Sequence, residues 1–231
     1  MPPTRTPHRL RVRATERITP HMIRVTFGGA PDTVDNGFTD RYVKLLFPGD
    51  PQPVRRTYTI RAHDAGELTI DFVHHGDTGL AGPWAASAKP GDELEFVGPG
   101  GAYAPDPTAD WHLLIGDESA LPAIGAALEA LPADAKVITV VGSEEPQPLP
   151  HDVTWVSPAK VVSTVQGLTF PAGRVHAFVH GEAGMVKELR AHLTADRGLT
   201  REQLSISGYW RRGLEEGAFQ EWKRATADAA R

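Results

Sequence analysis

The sequence predicts a β-rich barrel or sandwich followed by an α/β domain built on a mostly parallel sheet. Three observations carry this. Six short alternating runs, separated by glycine- and proline-rich turn clusters, fill residues 9–105, the pattern of an all-β domain. Beyond Ala104-Pro105-Asp106-Pro107 the pattern changes to apolar strands alternating with helical stripes, which implies α/β layers. At 231 residues the chain has room for two domains of ordinary size. The division is expected at 1–105 and 106–231, with the boundary near residues 102–110.

In the first half the strand runs are Leu10–Ala14, Ile23–Phe27, Tyr42–Phe47, Thr57–Arg61, Leu68–Val73 and Glu93–Val97. Turn clusters such as Phe27-Gly28-Gly29-Ala30-Pro31 and His63-Asp64-Ala65-Gly66 separate them. A short helix is expected around Trp84–Ala88, with Pro83 at its first position. In the second half Trp111–Ile115 reads as a strand, and a helix begins near Pro122. Its Ile124, Leu128 and Leu131 form one buried stripe. Further strands are expected at Lys136–Val141, Val153–Val156, Val175–Val179 and Leu204–Ser207. Helices are expected at Ala183–Ala195 and from about Leu214, while residues 158–172 show no clear pattern.

Composition removes several function classes. A net charge of -5 argues against a general nucleic-acid binder. The absence of cysteine excludes disulfides, thiol redox chemistry and cysteine-held iron–sulfur clusters. Electron transfer would therefore need a bound organic cofactor, unless a metal sat on His and carboxylates. No such metal site is expected. His74 and His75 are adjacent and point to opposite faces of a strand, and His176 and His180 lack the helical pairing that their spacing would need. Arg5, Arg9, Arg11, Arg13 and Arg17 alternate with Leu10, Val12 and Ala14, which favours a strand with one wet, basic face over a nucleic-acid patch. The start lacks a signal-peptide core and no apolar run spans a bilayer, so membrane insertion is not expected and the cytoplasm is.

Two stretches of the first half combine into a cofactor pattern. In Val54-Arg55-Arg56-Thr57-Tyr58-Thr59-Ile60-Arg61, alternation puts Arg56 and Tyr58 on one face. A cation and a ring so placed suit a phosphate and the plane of a flavin. Soon after, His74-His75-Gly76-Asp77-Thr78-Gly79-Leu80-Ala81-Gly82-Pro83-Trp84-Ala85 is a glycine-rich turn entering a helix. Free amides at such a start suit a pyrophosphate. Either stretch alone reads as a half-exposed strand or an ordinary loop; together they can hold both halves of FAD. In the second half, Gly116-Asp117-Glu118-Ser119-Ala120 lies at a strand's carboxyl end, where open α/β sheets bind ligands. It is not GxGxxG, and a capped helix is the plainer reading. His180-Gly181-Glu182-Ala183 repeats that arrangement, and Gly208-Tyr209-Trp210-Arg211-Arg212-Gly213 either lines a site or closes the sheet.

The strings RRTYTIR, DFVHHGDTGLAGPWA, PGDELEFVGPGGAY, GDESALPAIGAALEALP, HGEAGMVKELRAHL and SGYWRRG together resemble the siderophore-interacting protein family. These are FAD-dependent ferric-siderophore reductases of the ferredoxin-reductase-like superfamily, and the resemblance covers about residues 8–224. It implies an N-terminal antiparallel FAD-binding β-barrel followed by a parallel-sheet nucleotide-binding domain. It implies Arg56, Tyr58, Thr59 and Ile60 as flavin contacts, with Tyr58 against the isoalloxazine, Thr59 near its reactive edge and Arg56 toward the phosphates. Asp71, Val73 and His75 would line the cofactor, and Gly76, Gly79, Gly82, Trp84 and Ala85 would belong to the pyrophosphate loop. Asp117, Glu118, Ser119 and Ala120 would border flavin and reductant, with Glu182, Ala183, Tyr209 and Trp210 on the reductant side. Lys44, Arg211 and Arg212 are candidates for attracting an anionic ferric siderophore. No protein group is implied as catalytic, because the flavin carries the electrons.

Three departures from the family pattern stand out. The pyrophosphate loop, Gly79-Leu80-Ala81-Gly82-Pro83-Trp84-Ala85, lacks the usual serine; His180 replaces a small residue; and Ser119 stands for threonine. The expected activity is reduction of ferric siderophores by a monomer, with NADH, NADPH or a reduced ferredoxin as donor. Glu144 and Glu145 in the loop after Val141 favour NADH. The rival readings are a flavin or quinone reductase on the same fold and a non-catalytic siderophore or flavin carrier.

Overall fold

The computed structural model describes residues 6–228, so Arg5 of the basic run lies outside the described residues. The chain divides into two compact units. One holds the residues up to Pro105 with Pro122–Ala133 and Glu145–Pro150; the other holds Asp106–Leu121, Asp134–Glu144 and the residues from His151 onward.

The first unit is a seven-stranded antiparallel barrel-like sheet. Its strands are β1 (His8–Thr19), β2 (Met22–Gly28), β3 (Tyr42–Phe47), β4 (Val54–Thr59), β5 (Ala62–Asp64), β6 (Glu67–Val73) and β7 (Glu93–Gly100), in spatial order β4-β3-β7-β1-β2-β6-β5. Period-two burial builds its core: Leu10 and Val12, Val25 and Phe27, Val43, Leu45 and Phe47, Leu68, Ile70 and Phe72, Leu94 and Phe96 all turn inward. The alternation of β1 breaks where the register with β2 shifts between Val12 and Ala14. A bulge there turns Ala14 outward, contrary to the expected inward position. Arg9 on the wet face of β1 is answered by Glu93 at 3.3 Å and Glu95 at 3.7 Å on β7.

Helix α1 (Ala81–Ser87) sets the indole of Trp84 among Phe27, Phe47 and Phe72, with ring centroids 6.1, 5.7 and 5.8 Å away. Helix α2 (Leu121–Ala130) belongs mostly to this unit. Glu129 accepts from Arg61 at 2.7 and 2.5 Å, and close by Arg24 grips both oxygens of Asp71 at 2.7 and 2.8 Å.

Strand β5 went unforeseen because His63-Asp64-Ala65-Gly66 reads as one turn. Only Ala65 and Gly66 turn, both at positive φ (47° and 79°), while Asp64 pairs with Glu67. That is the two-residue geometry that follows strand twist.

The second unit is a five-stranded parallel sheet in the order β10-β9-β8-β11-β12. Its strands are β8 (Trp111–Asp117), β9 (Val137–Gly142), β10 (Thr154–Val156), β11 (Val175–Glu182) and β12 (Leu204–Trp210). β8 is buried along its whole length, as a central parallel strand covered on both faces must be. On one face Trp111, Leu113, Ile115, Val175, Ala177 and Val179 pack on Val161 and Val165 of α3 (Val161–Gln166) and Leu189 of α4 (Ala183–Ala191).

The patternless segment 158–172 therefore contains α3, preceded by a tight turn at Pro158–Lys160. α4 widens into a π-helical turn at His192–Asp196, and α5 (Glu216–Asp228) buries Phe219. Both β11 and β12 run about three residues further than expected, through Glu182 and Trp210. Among the described residues no helix is long and apolar enough to cross a membrane.

Candidate functional site

In the first unit the candidate residues sit on the edge strand β4 and at the end of β6. Tyr58 pairs with Val43 and Arg56 with Leu45, so ring and guanidinium share the face that carries the core. Tyr58 leans on Phe72 at 4.5 Å, and Phe72 in turn meets Trp84. This aromatic chain links β4 to α1. Arg56 is half-buried, and its guanidinium donates to the carbonyl of Arg55 at 3.0 Å, which leaves most of its N–H groups for an anion. Thr59 is buried beside them.

Ile60 is wholly enclosed: its side chain is core, and its N–H is spent on the carbonyl of Arg41. Asp71 is likewise committed, its carboxylate held by Arg24. Trp84 is an anchor within the barrel rather than a loop side chain, and Ala85 is buried with it.

The loop after β6 keeps the geometry an anion site needs. Gly76 and Gly79 take φ of 62° and 81°, positions that disfavour a side chain. α1 begins at Ala81, two residues before the expected Pro83 start, and no side chain caps it. Its first amides are therefore open. At Gly82 a Cβ would stand 2.9 Å from the carbonyl oxygen of Val73, so glycine alone lets the helix start close on the end of β6. Val73 is half-buried and His75 exposed at this rim. His21 faces His75 at 6.0 Å between ring centroids and pairs with Glu145 at 3.6 Å. A ring and a guanidinium on one face, with an uncapped glycine-rich helix start beyond the aromatic chain, fit a flavin dinucleotide.

Lys44 does not join this face. It pairs with Thr57 and is exposed on the opposite side of the sheet from Tyr58 and Arg56.

In the second unit the candidate residues gather at the carboxyl ends of β8, β11 and β12. Asp117 is their centre. One oxygen accepts from the Ser119 amide (2.9 Å) and hydroxyl (2.5 Å), the other from the Glu182 amide (2.8 Å) and the Trp210 indole (2.9 Å). Burial pushes the Asp117 carboxyl above the usual carboxylate range, and these hydrogen bonds pull it back. Glu182 caps α4, accepting from Gly184 and Met185 at 2.6 and 3.0 Å, while its other oxygen accepts from Arg212. Ser143 donates to Glu118. Ala120 and Ala183 are buried. So Asp117 and Glu182 serve the strand ends first, and Trp210, 40% exposed, is the side chain turned to solvent.

His180 and Tyr209 meet edge to face at 4.8 Å, and His180 stacks on Phe178. Burial drives the His180 imidazole down to about 3, keeping it neutral. Arg211 lies over Trp222 at 4.3 Å and Arg212 is exposed.

Gly181, within the His180–Ala183 string, shapes this centre by what it lacks. It takes φ of 141°, and a Cβ there would come within 2.6 Å of the Asp117 carboxylate. A glycine inside an apolar strand run was the available signal.

The siderophore-interacting FAD-binding domain family matches residues 11–52 and 47–103, and the siderophore-interacting protein family matches residues 109–213. An uncharacterized Mycobacterium tuberculosis protein is 42% identical, with 96% of each chain covered. The ferric vibriobactin reductase ViuB of Vibrio cholerae is 35% identical over 80% of this chain and 74% of its own. An Escherichia coli NADPH-dependent ferric-chelate reductase is 28% identical over 87% of this chain and 91% of its own. Among solved structures, a siderophore utilization protein from T. fusca superposes with a TM-score of 0.80 at 34% identity, covering 91% of this chain and 94% of that one. A ferredoxin NADP+ reductase from Neisseria gonorrhoeae shares the fold alone, with a TM-score of 0.68 at 15% identity over 88% and 99%. An antiparallel barrel matched by an FAD-binding family, followed by a parallel sheet matched by its companion, places the chain in the siderophore-interacting protein family, with the ferredoxin-reductase-like fold.

Proposed function

We propose that the protein is a monomeric cytoplasmic reductase that takes electrons from NADH or NADPH and releases iron from ferric siderophores as Fe(II). In this reading residues 1–105 form the FAD domain and 106–231 the donor domain. The observation that carries it is the pairing of Tyr58 and Arg56 on one face with the uncapped glycine-rich start of α1, in a chain related to ferric reductases.

Bound FAD supplies the conversion of a two-electron hydride donor into single electrons for ferric iron. The protein's part is binding and orientation. Tyr58 offers its ring to the isoalloxazine, Arg56 its free N–H groups to phosphate, and Gly76, Gly79 and the first amides of α1 the rest of the anion site. No side-chain acid or nucleophile is required, since siderophores hold Fe(III) far more tightly than Fe(II) and reduction itself frees the metal. Arg212, exposed beside the strand ends, offers a cation to an anionic chelate. The acidic loop gives NADH little advantage, because Glu145 is engaged by His21 and only Glu144 of the pair is exposed.

The test is anaerobic. FAD-loaded protein is mixed with NADH or NADPH and a ferric siderophore, and Fe(II) is trapped with a ferrous chelator. Ferrous iron should form only with donor and protein together, and ferric siderophore should be turned over faster than free flavin or quinone offered as acceptor. Faster turnover of flavin or quinone, or no Fe(II) with any donor, sinks the proposal.

A further inference from the structure

A buried carboxylate without a cation beside it is costly. Asp117 is 8% exposed, and among the described residues it forms no ion pair. Its four acceptor positions are filled instead by neutral donors from the ends of β8, β11 and β12. Saturated in this way, it has no lone pair left for a ligand. What it does hold is the edge of an exposed ring, the Trp210 indole, whose Nε1 points inward at 2.9 Å while the side chain stays 40% exposed.

Two further features serve the same placement. The β11–β12 register slips between Gly181 and Glu182, setting Glu182 opposite Trp210 and giving β12 one extra residue. Such a slip re-aims the following side chain. Gly181, with φ of 141°, leaves the space the Asp117 carboxylate occupies. Burial of Trp210 explains none of this. An indole tethered at its Nε1 and 40% exposed offers a preorganised surface to another flat ring, and it lies at the carboxyl edge of a parallel sheet, where ligands bind.

We infer that Trp210 is the stacking platform for a planar heterocycle of the nicotinamide nucleotide, and that Asp117 is the positioning residue that holds it. The inference rests on the donor reading above and deepens it.

The test uses FAD-loaded protein labelled with 15N at its five tryptophans. The Trp210 indole resonance is identified by its loss in Trp210→Phe. NAD+ and NADP+ are titrated first, then nicotinamide mononucleotide and ADP-ribose separately to tell which ring stacks; a shift with either fragment supports the proposal. The Trp210 resonance should move on nucleotide addition. Trp210→Ala should weaken nucleotide binding about tenfold, the scale of one stacking contact. Trp210→Phe, a ring without its tether, should weaken it about threefold. Asp117→Asn should shift the Trp210 resonance before any ligand is added, and should add nothing in a Trp210→Ala background. If that variant does not fold, Trp210→Phe decides: wild-type affinity there removes the role of Asp117. Equal binding by wild type and Trp210→Ala, with the resonance unmoved, overturns the platform and leaves the donor reading intact. Wild-type protein that neither binds nor is reduced by either nucleotide defeats both.

Discussion

At the scale of single residues, the most exposed to chemistry is His180. Its imidazole is 4% exposed, stacked on Phe178 and held near 3 by burial, with Lys223 contributing repulsion. An unfolded chain restores an ordinary value near 6.5. The unfolded state therefore binds the extra proton first, and stability falls as pH drops below 6.5 toward 3, at about 1.4 kcal/mol per pH unit. His112 and His176 are shifted the same way by burial and steepen the loss. Urea midpoints at pH 7 and pH 5 should thus differ more for wild type than for His180→Gln; parallel curves would refute this. The sequence displayed this residue as a departure from a family pattern. Phe178, two residues away on the same strand face, was within reach of the sequence; the edge contact of Tyr209 was not, because it comes from the neighbouring strand β12. Asp117 was legible as a strand-end acid and not as a hub, since two of its four donors, the Glu182 amide and the Trp210 indole, lie on residues distant in sequence.

At the scale of elements, the proposed FAD site depends most on α1 and its entry loop. Gly82→Ala would press a methyl against the Val73 carbonyl at 2.9 Å, lifting the helix start from β6. FAD affinity should drop at least tenfold, read by flavin fluorescence on reconstitution, while the far-UV signal changes little. Retained affinity would show that α1 does not need this close approach. Strands with clean alternation, such as Tyr42–Phe47, were fully legible, because one face is core and the other wet. The helix start was misplaced by two residues because Pro83 tolerates any of the first helical positions, so it marks a beginning only loosely. β5 and the ends of β11 and β12 were hidden by turn-like residues, Asp64, Gly181 and Gly208, that the strands absorb.

At the scale of the whole molecule, cofactor and fold are linked. A ligand that binds only the folded state stabilises it by about 2.7 kcal/mol at a hundred times its Kd, which for a chain of this size raises the melting temperature by roughly 5–10 °C. Melting FAD-free protein with and without added FAD should show that rise, and Arg56→Ala should shrink it. An unchanged melting curve would mean that the barrel does not hold the flavin. The pairing of an antiparallel barrel with a parallel sheet was legible from the change from alternating strand runs to strands alternating with helical stripes. The grouping of α2 with the barrel was not, because it depends on Arg61 reaching Glu129, a pair 68 residues apart.

The cap on α4 has one more effect. Glu182 fills the ring of amides at that helix start with the chain's own negative charge, so an incoming diphosphate finds no vacancy and some repulsion there. With the nicotinamide donor proposed above, discrimination between NADH and NADPH would fall to side chains around the rim, such as Glu144 and Arg212, which are exposed. On that proposal, descendants of this chain would change fuel by surface substitution alone, leaving the buried scaffold as it is.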